Sequence, residues 1–210
     1  MAKKQDYLHK ICTLHYGEEV HSRLSESELR YSDYFSEIMR VYRQLGGILF
    51  NAPTRVGKYD IDTPNFMIEL DEENHFNRYR LCTLESSIYT DNCNLDVENY
   101  RLFCSSYEGY CRTDGNCAMT ASSEKQFGIS SIDGDFLRIS RTRWKQRAFY
   151  DFLKDVTSII IGIPIIRISI YEEFEGQSIK NLIKTKNREL LIKYIDSKLS
   201  KHNYWMNQTK

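Results

Sequence analysis

The sequence predicts an α/β fold: a mixed sheet flanked by helices, with a cysteine-containing insertion. Three observations predict it. Residues 59–71 alternate apolar and acidic side chains around a turn, the period of two of a hairpin. Residues 158–171 form a nearly continuous apolar run, the mark of a strand buried on both faces. Apolar residues at helical spacing recur in 34–45, 142–156 and 178–199.

At 210 residues, 41% of them hydrophobic, the chain can bury a core as one domain with a sizeable insertion. An aromatic content of 13% argues against disorder. Formal net charge is zero, so any affinity for nucleic acid must come from a local patch and be salt-sensitive. The opening MAKKQDYLHKI lacks the apolar region of a secretory signal. Six cysteines are therefore read as reduced thiols in a cytoplasmic protein. The apolar run at 159–170 is broken by Gly162, Pro164 and Arg167 and is too short to span a bilayer, so no membrane partner is expected.

The first segment, 1–47, reads as helical. Tyr34, Phe35, Ile38, Met39, Val41, Tyr42 and Leu45 recur at helical spacing. Ser32 or Asp33 is the expected cap, and Gly46-Gly47 the expected stop. A short strand is expected at 48–50. The acidic hairpin core spans 48–75. Thr63-Pro64-Asn65 marks its turn, because Pro64 presets φ and Asn65 tolerates unusual backbone angles. Centring the turn there sets Asp62 opposite Met67 and Asp60 opposite Glu69. Opposed Cβ atoms lie about 4.5–5.5 Å apart, so Asp60 and Glu69 can converge on one cation. Asp62 is expected instead to satisfy backbone N–H groups of the turn. Like charges facing each other across strands repel, and a divalent cation is the simplest compensation. The competing reading is a solvent-facing acidic edge with no chemistry.

Residues 76–140 read as a loop-rich insertion, rich in Ser, Asn, Asp and Gly and holding five of the six cysteines. Cys93, Cys104, Cys111 and Cys117 could hold one structural Zn²⁺, although no paired Cys-x-x-Cys spacing supports it; the alternative is buried thiols acting as small hydrophobes. The segment 141–173 supplies a core helix and the buried strand. Around its start, Arg138, Arg141, Arg143, Lys145 and Arg147 surround Trp144 without an acidic residue. In a chain of zero net charge this is the expected phosphate-contacting stretch, with a solvated helix start as the alternative. A final helix, 178–199, reads as packing with a secondary phosphate contact, and the tail from His202 is expected to be mobile.

The hairpin residues also carry a resemblance. Asp60, Pro64, Ile68, Glu69, Asp71, Glu72 and His75 resemble the PD-(D/E)xK nuclease superfamily, nearest its compact very-short-patch-repair (DUF559-type) branch. Arg147, Leu153, Gly162 and Ile165-Ile166-Arg167 echo that branch's later helix and strand. Gln146 and Tyr150 match the Gln-x-x-x-Tyr pattern of exonuclease-like members. The chain departs from the branch at Glu72, where it has Gly, and in a Pro-to-Glu spacing about two residues short. The resemblance implies one restriction-endonuclease-like domain over 1–210 and Mg²⁺ (or Mn²⁺)-dependent cleavage of nucleic acid, DNA before RNA. Asp60, Glu69 and Asp71 would hold the metal. His75 would contact phosphate or move a proton, its other reading being an ordinary turn residue. Asp71 stands where many members carry Lys, so Lys145 or Gln146 would supply the missing donor. The missing Lys also keeps open a catalytically inactive nucleic-acid-binding or protein-interaction module on the same fold. A homodimer is left open.

Overall fold

The computed structural model describes residues 2–91, 95–113, 120–128 and 141–208. It is mixed α/β, mostly helical, with a small mixed sheet. The chain separates into two compact units. A sheet unit comprises Met1–Ser22, Lys58–Glu72 and Ile161–Lys210, and a helical unit comprises Arg23–Gly57 and Glu73–Ile160.

In the sheet unit, β1 (Ile61–Asp62) pairs antiparallel with β2 (Met67–Asp71), and β2 pairs parallel with β3 (Ile165–Ser169). The hairpin register is the one the sequence predicts, with Asp62 opposite Met67 and Ile61 opposite Ile68. The turn is closed by Thr63 rather than by the Asp62 carboxylate. Thr63 N donates to Phe66 O at 3.0 Å, and the Thr63 hydroxyl bonds the same carbonyl at 2.6 Å. The central strand β2 is buried at every position, so its acidic face is no solvent edge. Ile61, Ile68, Leu70, Ile166 and Ile168 form one side of the core. Against them pack Leu8, Ile11 and Cys12 of α1 (Ala2–Tyr16), Ile179, Leu182 and Ile183 of α9 (Ile179–Thr185), and Leu191 and Ile195 of α10 (Arg188–Gln208). Each such side chain contributes about 1.5–3 kcal/mol by leaving water. On the opposite face Met67 and Ile165 are covered by Tyr59.

The expected strand over 158–171 is shorter. The helix before it, α8 (Arg141–Ile161), takes the first part of the apolar run, and Gly162 ends it at φ +70°. The C-terminal helix is likewise two. Lys186 adopts the left-handed conformation between α9 and α10, and α10 continues to Gln208.

The helical unit contains α2 (Glu26–Arg30), α3 (Phe35–Gln44), α4 (Arg78–Thr83), α5 (Ile88–Asp91), α6 (Val97–Thr113), α7 (Ala121–Phe127) and most of α8. The expected loop-rich insertion is thus helical wherever it is described. Helical spacing explains it: Tyr100, Phe103, Cys104 and Cys111 bury one side of α6. The expected strand at 48–50 does not form. α3 begins after Tyr34 with no side-chain cap, since the Ser32 hydroxyl donates to Leu29 O instead. It ends as expected at Gly46-Gly47. Gly46 N bonds Arg43 O and Gly47 N bonds Tyr42 O, a Schellman pattern, with Gly46 at φ +82°. A Cβ on Gly47 would lie 2.3 Å from the Tyr42 ring, so only glycine fits.

Glu37 ties α3 to the turn before α5. Its carboxylate accepts from Arg40 Nε at 2.7 Å, from the Ser86 hydroxyl at 2.5 Å and from Ser87 N at 3.3 Å. The Arg40 guanidinium is the largest influence holding this carboxyl at about 2, against burial, which raises it. A carboxyl depressed on folding stabilises above its unfolded value, near 4.5, and loses that stabilisation as pH falls toward about 2. Glu37→Gln is therefore expected to lower the urea midpoint at pH 7 and to decline less steeply in acid. The two curves should converge near pH 2, as urea titrations across that range would show.

Candidate functional site

The acidic face of the sheet is built by register. Asp60 stands one residue before β1 and, continuing its ladder, opposite Glu69; Glu69 in turn pairs with Arg167 on β3. Asp60, Glu69 and Arg167 therefore form a row across the sheet. Asp71, two residues beyond Glu69, lies on the same face. The side-chain contacts follow. Glu69 Oε1 accepts from Asp60 N at 3.1 Å, and Asp60 Oδ2 accepts from Leu70 N at 2.8 Å. Each acid thus bonds the backbone of the strand carrying the other. Gln5 of α1 donates to Asp60 Oδ1 at 2.7 Å. Glu69 is 3% exposed and Asp71 1%, whereas Asp60 is half-buried.

Arg167 Nη1 meets both Asp71 oxygens, at 2.8 and 3.0 Å, with both side chains buried. A buried carboxylate with a guanidinium partner is charge-matched. Arg167 thus places a guanidinium on this face. A second charged group closes the far end of β3. Lys198 bonds Glu172 at 2.7 Å and Arg167 O at 3.1 Å, and Glu172 also accepts from the Tyr194 hydroxyl. Burial, with Glu172 alongside, pushes the Tyr194 phenol well up, so it stays a neutral donor.

The helical unit has its own arrangement of buried acids. Asp151 and Asp155 stand one turn apart on α8, among Phe149, Phe152, Leu153 and Val156. His75, in a single 3-10 turn at Glu73–His75, shares a hydrogen bond from Nδ1 with Asp151 Oδ2 at 2.9 Å. A carboxylate on one ring nitrogen fixes the orientation of the imidazole. Asp155 is held by Arg80 Nη2 at 2.8 Å and by the Tyr89 hydroxyl at 2.7 Å. Arg80, 1% exposed, also donates to Thr83 Oγ1 and to Tyr89 Oη. Sequence reasoning missed Asp151, Asp155 and Arg80. The available signal was two acids at i,i+4 on the apolar side of a helix.

The expected donors are engaged elsewhere in this unit. Lys145 Nζ sits 5.6 Å from the Tyr79 ring centroid. Gln146, 1% exposed, donates to Ser122 Oγ at 3.0 Å and accepts from Arg143 at 2.5 Å. Gln126 bridges the same Ser122 to Tyr150, which gives the Gln146–Tyr150 pair a packing role. Arg147 is half-buried. Arg138 and the Arg141 side chain lie outside the described residues, as do Cys93 and Cys117. Cys104 and Cys111 are buried thiols two turns apart on α6. Seven residues of helix rise about 10.5 Å, and sulfurs at about 2.3 Å from one zinc cannot span that. The two therefore cannot share an ion, and Cys111 instead contacts Asn77 Nδ2 at 3.6 Å. Among the described residues, no helix is long and apolar enough to cross a membrane.

A family model described as "Family of unknown function (DUF7255)" matches residues 40–185, and the chain belongs to that family. No curated protein and no solved structure matches the chain. The matched stretch contains the acidic hairpin, both α8 acids and Arg167.

Removing one partner of a buried ion pair strands the other charge and costs about 3–5 kcal/mol. Asp155→Ala is expected to destabilise by that amount, since it leaves the Arg80 guanidinium buried. The Arg80→Met/Asp155→Leu double variant should recover most of the loss. Chemical denaturation of the three proteins checks this.

Proposed function

We propose that this chain is a divalent-cation-dependent phosphodiesterase acting on nucleic acid, DNA before RNA, with a restriction-endonuclease-like sheet as its core. The observation that carries the reading is the Asp60–Glu69 pair. Two carboxylates face each other across a hairpin, each anchored on the other's strand. Burying like charges side by side is costly, and a bound cation offsets that cost. The donor set fits a hard cation, since Asp60 and Glu69 offer only oxygens.

Asp60 and Glu69 would hold Mg²⁺ or Mn²⁺. When bound, the cation would lower the pKa of a water and neutralise a phosphate oxygen. The chain's own residues prepare the site. Gln5 fixes the Asp60 carboxylate, so the pair needs little reorganisation to bind. Arg167 supplies the fixed positive charge on this face, and Asp71 positions it by gripping the guanidinium. This assigns Asp71 an orienting role where the sequence expected a metal ligand. It also makes Arg167, on β3, the donor that was expected from Lys145 or Gln146.

One observation favours a second reading. Both Asp60 oxygens and both Asp71 oxygens accept hydrogen bonds within the chain. Such carboxylates can serve structure alone, in a non-catalytic binding module.

Purified protein with Mg²⁺ or Mn²⁺ should be offered single- and double-stranded DNA and RNA. Asp60→Asn and Glu69→Gln are each expected to lower cleavage by on the order of 100-fold or more, with nucleic-acid binding and the thermal midpoint retained. Asp62→Asn should cost activity only modestly. Wild-type protein that binds but cuts none of the four substrates would establish the second reading.

A further inference from the structure

Several cations of this chain are paired with acids of the chain itself. Arg80 and Arg167 are buried in ion pairs. On helix surfaces, Arg30 pairs with Glu26, Arg40 with Glu37, Arg101 with Glu98 and Lys193 with Glu189, each one turn away. The stretch 178–188 departs from that pattern. It carries Lys180, Lys184, Lys186 and Arg188 and no carboxylate. All four are exposed. Lys184, Lys186 and Arg188 enter no ion pair among the described residues.

The backbone gathers these charges. Lys180 and Lys184 are one turn apart on α9, and so share a face. The left-handed Lys186, φ +57°, turns the chain between α9 and α10 and keeps Lys186 and Arg188 beside the end of α9. An aromatic ring sits among them. The Tyr7 hydroxyl of α1 donates to Lys186 O at 2.8 Å, and Lys186 Nζ lies 5.9 Å from the Tyr7 ring centroid. Burial raises the Tyr7 phenol, and Arg188 is near enough to pull it partly back down. Lys10, three residues along α1 and exposed, extends the cluster on the same side of that helix.

We propose that this cluster, Tyr7 with Lys10, Lys180, Lys184, Lys186 and Arg188, binds the phosphate backbone of single-stranded nucleic acid. Cations matched to successive phosphates and an aromatic ring for a base are the elements of such a surface. Charge complementarity names a polyanion as the occupant. The ring within the cluster favours nucleic acid over an acidic peptide, which has no base to stack. The proposal rests on the nuclease reading for its purpose but not for its test, because binding is measured without cleavage.

The full chain, in EDTA, is titrated against a fluorescein-labelled 20-nucleotide DNA strand by anisotropy from 50 to 200 mM salt. The comparison variant is Lys184→Gln/Lys186→Asn/Arg188→Gln, with Asn chosen because it tolerates the left-handed backbone. Circular dichroism and the thermal midpoint establish that it is folded. The expected result is affinity weaker by about tenfold or more, with the log–log salt slope shallower by about two, since each lost single-strand phosphate contact removes about 0.7. A folded variant with unchanged affinity and slope would overturn the proposal. So would displacement of the DNA by poly-glutamate at equal charge concentration. Wild-type protein that binds through this cluster yet never cuts leaves this inference standing and removes the nuclease reading; cutting with an unaltered variant does the reverse.

Discussion

The sheet unit depends on one constraint: its central strand carries two carboxylates into the interior. β2 is hydrogen-bonded on both sides and buried at every position, so Glu69 and Asp71 are largely withdrawn from water. An isolated buried carboxylate costs several kcal/mol. The fold answers each one differently. Asp71 takes a guanidinium whose Nη1 meets both carboxylate oxygens. Glu69 takes a backbone N–H from the neighbouring strand and has Arg167 beside it in register. Side chains from β1 and β3 meet these needs, so chemistry on this face and the pairing of the sheet cannot be separated. A strand wanted only for packing would carry on this face what it carries on the other, where Ile68 and Leu70 serve at no electrostatic cost.

Much of this face was legible in the sequence. Alternation gave the faces, and a Pro-Asn turn of fixed length gave the register, so Asp60 and Glu69 could be set opposite each other before any coordinates. Arg167 was visible as a residue but not as a partner of Asp71. That contact needs the parallel pairing of β2 and β3, between segments almost a hundred residues apart, which periodicity cannot reveal. The same limit hid Asp151 and Asp155, whose partners come from elements near 75–89. The misreadings were of two kinds. In α6, Cys, Ser and Tyr masked a helical stripe because cysteine was weighed as a ligand rather than as a small hydrophobe. At 158–161, β-branched Ile favoured a strand locally, yet the chain stays helical until Gly162, because packing outweighs propensity.

The two units solve the same problem with different degrees of commitment. Asp155 is bound by an arginine that stays charged at any ordinary pH and by a tyrosine hydroxyl, and these two partners are themselves hydrogen-bonded. That network is fixed. Asp151, one turn away, is instead bound by the His75 imidazole. The Arg80–Asp155 pair ties α4 to α8.

Net charge conceals how the cations are distributed. A balance of zero over the whole chain would ordinarily argue against a polyanion partner. Three groups of basic residues among the described residues stand apart. Buried arginines are neutralised inside, one in each unit. Surface cations on α2, α3, α6 and α10 are matched by acids one turn away. The run through α9 into α10 has no acid within it. Charges already paired contribute little field at a distance, because each pair is close to a dipole and is screened within about 10 Å at 0.1 M salt. A local run of cations without an acid in its own sequence therefore presents positive charge at that surface although the sum over the chain is zero.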